Sequence, residues 1–84
     1  MIYTVVWKPA VLNDLANEWM NAPDRAAVTQ AADRIDAMLR NDPYTFSESR
    51  SGSTRVMFVS PLAVAFEVSD PDCLVTVKAV WRIT

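Results

Sequence analysis

The sequence predicts an α+β domain of order β-α-α-β-β-β, a helical hairpin packed on one face of a small, mainly antiparallel sheet. Three observations predict it. The last third of the chain holds three runs rich in Val, Phe and Trp, separated by dense turn signals. The middle holds two stretches whose apolar residues recur at three- and four-residue spacing. A further β-rich run opens the chain, and strands gathered after a block of helices, rather than alternating with them, indicate α+β.

Residues 2–7 (Ile-Tyr-Thr-Val-Val-Trp) read as a strand with no breaker inside it. Lys8-Pro9 ends that strand, and Pro9 suits the first position of a helix, where its missing N–H costs nothing. In the first helix Val11, Leu12, Leu15, Ala16 and Trp19 fall on one stripe, while Asn13, Asp14, Asn17 and Glu18 point away. Asn21-Ala-Pro23 interrupts it. The second helix begins near Pro23-Asp24, where a carboxylate in the first turn complements the dipole. Its stripe is Val28, Ala31, Ala32, Ile35, Met38 and Leu39, and Asn41-Asp-Pro43 closes it. The alanines of this helix would let the first helix approach closely.

Residues 44–53 hold four serines and the single glycine, and read as a long, mobile polar loop. The meander follows. Residues 54–59 form one strand, broken by Ser60-Pro61; residues 62–68 form the next, broken by Ser69-Asp-Pro-Asp72; residues 73–81 complete it. Short connections imply antiparallel neighbours. In the middle strand Leu62, Val64, Phe66 and Val68 share one face and Ala63, Ala65 and Glu67 the other. In the last, Leu74, Thr76, Lys78 and Val80 alternate with Cys73, Val75, Val77, Ala79 and Trp81. Lys78 should point to the open face, with Glu67 as its cross-strand partner. The place of the first strand in the sheet stays open.

At 84 residues the chain is expected to be one domain, residues 1–84. An apolar fraction of 51% is enough for a modest core and argues against disorder. No apolar run approaches the roughly 18 residues of a membrane span, and no basic-then-apolar leader opens the sequence. A cytoplasmic location and no membrane contact are the expectation. The absence of histidine removes the commonest general base and metal ligand. Cys73, the single cysteine, reads as a small apolar strand residue. No metal and no cofactor are implied. The net charge of −2 argues against strong nonspecific binding to nucleic acid, which calls for basic surface.

Several residues in order resemble the RelE/ParE family of toxins from bacterial type II toxin–antitoxin systems. They are Trp7 before Pro9-Ala10, Leu15-Ala16, then Ala32, Ile35 and Leu39, and Asn41-Asp-Pro43. Glu48-Ser-Arg50, Gly52 and Arg55 follow, then Ser60-Pro-Leu62 with Val-Ala-Phe-Glu-Val, and residues 77–81. None is specific alone, but their order spans nearly the whole chain.

The resemblance implies a toxin silenced by a cognate antitoxin that wraps it. One branch of the family cleaves mRNA in the ribosomal A site without a metal, using basic residues of the open sheet face. The other poisons DNA gyrase. Arg50 and Arg55 stand where the ribonuclease branch has basic residues entering the first meander strand, and Arg82 stands near the arginine after the last strand. As catalytic residues they would stabilise the developing charge of phosphoryl transfer. Lys78 and Trp81 would bind substrate, Trp81 by stacking a base. Glu48 is a candidate proton acceptor.

The sequence departs from that branch where residues 60–64 lack an arginine, and no aromatic residue follows Trp81. Three readings therefore stand: ribosome-dependent mRNA cleavage, gyrase inhibition, and a non-toxic interaction module. Simpler roles also stand, with the arginines solvated or paired to Asp70 or Asp72 and the tryptophans serving as packing. A homodimer is compatible with these residues and not required by them.

Overall fold

The computed structural model describes residues 2–83. The chain runs β1 (Thr4–Trp7), α1 (Pro9–Asn21), α2 (Arg25–Asn41), β2 (Ser47–Ser51), β3 (Thr54–Val59), β4 (Leu62–Ser69) and β5 (Leu74–Arg82). The five strands form one sheet in the order β1-β5-β4-β3-β2. The β1 strand runs parallel to β5 at one edge, and every other pair is antiparallel. The two helices thus carry the chain across the sheet from the β1 edge to the β2 edge.

Pro9 opens α1, as its fixed φ favours. Asp24 stands one position before α2, where its side chain accepts a hydrogen bond from the Ala27 N–H at 3.1 Å. On α2 the expected stripe is borne out: Val28, Ala31, Ile35 and Leu39 are buried, with Ala32 and Met38 packed beside them. These side chains meet Met57, Leu62, Val64, Phe66, Val75 and Val77 from the sheet. On α1 only Val11 is buried, and Leu12 and Trp19 remain half-exposed. The two helices are in contact but leave a gap on their outer side. Trp19 Nε1 donates to Thr29 Oγ1 at 3.1 Å, and an apolar pocket of about 360 Å³ stays open between them.

Two sequence expectations change. Residues 47–51, assigned to a mobile loop, form the edge strand β2, paired to β3 through Ser47–Met57, Glu48–Val56 and Ser49–Arg55. Its side chains are serines and charges, which signal solubility rather than pairing. That composition suits an exposed edge, where charges discourage further strand addition. The simple alternation along β5 also breaks. Ala65 faces Ala79 while Phe66 faces Val77, so Lys78 is an extra residue in a β-bulge. Val80 therefore joins Val75 and Val77 on the buried face, and does not follow Lys78 outward.

Gly52 takes φ +57° in the β2–β3 turn, a left-handed backbone that glycine adopts at no steric cost. Among the described residues, no helix is long and apolar enough to cross a membrane.

Candidate functional site

The register decides which face each candidate occupies, because residues directly opposite in neighbouring strands share a face. Phe58 and Trp81 both lie opposite Ala63, one on each side of it. They stand on the face without helices, where Ala63 is fully buried between them and both rings are partly exposed. Arg50 reaches over the same face, its guanidinium carbon 5.9 Å from the Phe58 ring centroid. Lys78 sits there too, its Nζ donating to Glu67 Oε1 at 2.7 Å, the cross-strand pair that the alternation implied. The hydrogen bond and charge of Lys78 hold the Glu67 carboxyl below its usual value. The open face thus gathers Arg50, Phe58, Lys78 and Trp81 around a floor of alanines, with Glu48 and Glu67 on it.

The other two arginines go elsewhere. Arg55 lies opposite Phe66 and Arg82 opposite Leu62, so both belong to the helix-covered face. Arg55 is held at its edge. Its Nε donates to Ser47 Oγ at 2.8 Å, its Nη2 to the Ser47 carbonyl at 3.1 Å, and its guanidinium carbon lies 5.1 Å from the Tyr44 ring centroid. Tyr44 in turn donates its hydroxyl to Asp70 Oδ2 at 2.8 Å, and Tyr3 donates to Asp70 Oδ1 at 2.7 Å. The Tyr3 hydrogen bond, and then that of Tyr44, hold Asp70 below the usual carboxylate range. Reciprocally, the bond to Asp70 and burial push Tyr3 up to about 12.

Arg82 lies at the opposite end, lining a pocket with the α1–α2 turn and the Ser60-Pro61 turn. Arg50, Arg55 and Arg82 therefore do not converge on one point. Neither Asp70 nor Asp72 pairs with any of them: Asp70 takes two phenols and Asp72 accepts from Ser69 Oγ at 2.9 Å. Phe58 was missed in the sequence because it looked like any strand aromatic, although Thr54, Val56 and Phe58 share a parity. The Arg55–Tyr44–Asp70–Tyr3 chain links residues 67 positions apart, and no local pattern could reveal it. Phe46, just before β2, is exposed.

On the open face, two cations are each near a carboxylate, Arg50 at 4.0 Å from Glu48 and Lys78 at 2.7 Å from Glu67. The patch is close to neutral and built of aromatic rings beside cations. Such a surface can stack planar groups and meet a phosphate or a carboxylate through charge-assisted bonds.

No family model matches the sequence, and no curated protein matches it. The backbone, however, superimposes on the toxin–antitoxin complex RelBE2 from Mycobacterium tuberculosis with a TM-score of 0.80, covering 98% of this chain and 92% of that one at 15% identity. The chain has the RelE fold. The isolated RelE toxin of E. coli is similar at a TM-score of 0.68, with 15% identity over 98% of this chain and 85% of that chain. The YoeB–YefM complex from Staphylococcus aureus matches at 0.62, with 10% identity and 95% of each chain covered. The RelE fold places the two helices on one sheet face and leaves the Phe58–Trp81 face open.

Proposed function

We propose that this chain is the toxin of a toxin–antitoxin pair, and that it inhibits translation through contacts of its open sheet face with ribosome-bound mRNA. The observation that carries the reading is the topological match, over 98% of the chain, to RelE in its toxin–antitoxin complex. Arg50 is the cation best placed to touch a phosphate, since it stands on the open face beside Phe58. Trp81 and Phe58 offer the planar surfaces that single-stranded RNA recognition uses. Lys78 becomes available to substrate if Glu67 releases it. Arg55 acts at one remove, by fixing Ser47 and Tyr44. No metal is required, because positioned cations stabilise the developing charge. The cognate antitoxin is the partner, and the proposed location is the cytoplasm.

A second reading, a toxin that blocks a protein target such as DNA gyrase without cleaving RNA, is favoured by the separation of the three arginines. Pulse-labelling of new protein and new DNA, just after the chain is induced alone in bacteria, separates the two. Early loss of protein synthesis with DNA synthesis intact is expected, with mRNA ends appearing in toeprints. Replacing Arg50 by Ala should lower that cleavage by about tenfold or more, the scale of one lost donor to developing charge. Early loss of DNA synthesis would replace the first reading with the second. Continued growth would overturn both.

A further inference from the structure

Arg82 occupies an unusual position for a cation. Its backbone is fixed by the β4–β5 ladder opposite Leu62 and by the Ile83 N–H, which donates to the Pro61 carbonyl at 2.8 Å. Its Nη1 atom is buried and has no hydrogen-bond partner among the described residues. A buried donor left unmade is costly, and more so when charged, so natural structures seldom leave one without a use.

Arg82 lines a pocket of about 410 Å³, walled by Ala22, Pro23 and Ala27 on the helix side and by Ser60 and Pro61 on the sheet side. These residues are small or apolar, which strengthens any charge pairing made inside. Asp24 also lines the pocket, but its carboxylate caps α2 through the Ala27 N–H and makes no ion pair with Arg82.

We infer that this pocket is an anchor for a single carboxylate, the side chain of a Glu or Asp on the partner chain, held by Arg82. The charge around the pocket selects this occupant over a nucleic acid. Residues 9–41 carry five carboxylates against three arginines, so a polyanion approaching from the helix side would be repelled. One carboxylate on an apolar segment needs only the one cation and fills the rest of the pocket with its neighbours. The anchor lies on the face opposite the Phe58–Trp81 surface. It rests on the reading of this chain as half of a pair, and it leaves the target-facing surface uncovered.

The test uses the whole chain labelled with 15N at arginine. The Nε–Hε signal of Arg82 is followed by NMR while three probes are added in turn: a capped Leu-Glu-Leu peptide, its Leu-Gln-Leu counterpart, and inorganic phosphate. Saturable shifts with the Glu peptide, at least tenfold weaker for the Gln peptide and for phosphate, are expected. The substitution Arg82→Gln should abolish them. Ala27→Leu, which fills the pocket without touching the guanidinium, should do the same and serves if Arg82→Gln fails to fold. Equal response to the Glu and Gln peptides, no saturation, or tighter binding of phosphate than of the Glu peptide would overturn the inference. None of these readouts depends on toxicity, so failure of growth arrest and failure of the anchor are separate results.

Discussion

Asp70 accepts two phenols at once, and the pH dependence of the fold should show it. Its carboxyl is held low by Tyr3 and Tyr44, so its contribution is present above the ordinary carboxylate value near 4 and is lost as pH falls through the lowered folded value. Tyr3 has the opposite sign of shift. Its contribution is present below the ordinary value of 10.0 and is lost as pH rises toward about 12. Urea midpoints measured across pH should therefore fall at both ends. Asp70→Asn is expected to flatten the acid limb and Tyr3→Phe the alkaline one; unchanged limbs would remove the link. At Gly52, with φ +57° and open space around it, Ala should cost about 1 kcal/mol through backbone strain alone. Asn, which tolerates that region, should recover most of it.

Among the elements, β5 carries the most consequential irregularity. Lys78 is the bulged residue, and everything after it is shifted by one position relative to simple alternation. Deleting Lys78 would leave plain alternation, with Val80 still inward and Trp81 still outward. Inserting one alanine after Ala79, by contrast, should turn Trp81 toward the core and Val80 toward solvent, since a one-residue slip inverts every downstream side chain. Loss of cooperative unfolding by circular dichroism is the expected result. Lys78→Ala, by contrast, removes an ion pair whose side chains are 40% and 41% exposed, and should cost no more than about 1 kcal/mol. On α2 the fully buried Ile35 gives the complementary case. Ile35→Ala should destabilise by about 2–5 kcal/mol in denaturant unfolding, because it leaves a cavity where the helix meets the sheet.

For the whole molecule, the sheet separates two surfaces with different charge. The open face holds Arg50 and Lys78 beside Glu48 and Glu67, and is near neutral. Glu67→Lys would change that face by two charges, from −1 to +1 at one position, without disturbing the core. If the target is RNA, mRNA cleavage per molecule should rise several-fold and become more sensitive to salt. A fall in potency would mark a protein target. The helix-covered face holds Arg55, locked at one edge, and Arg82, lining a pocket at the other end. The three arginines that sequence placed together are thus divided by the sheet.

Local signals determined much of this protein. Apolar spacing placed α2 and its stripe, Pro9 and Asp24 marked helix starts, and turn residues divided the meander, because each depends only on neighbours within a few positions. The Glu67–Lys78 pair was legible for the same reason, since alternation puts both on the open face and a short turn brings their strands side by side. Only the tertiary structure decided the rest. The edge strand β2 forms from serines and charges because β3 offers it a ladder, whatever its own composition prefers. The bulge at Lys78 and the parallel seat of β1 beside β5 depend on partners far away in the chain. So does the face on which each arginine lies. Side-chain direction in a strand is set by register, and register is a property of two strands, which a single stretch of sequence does not carry.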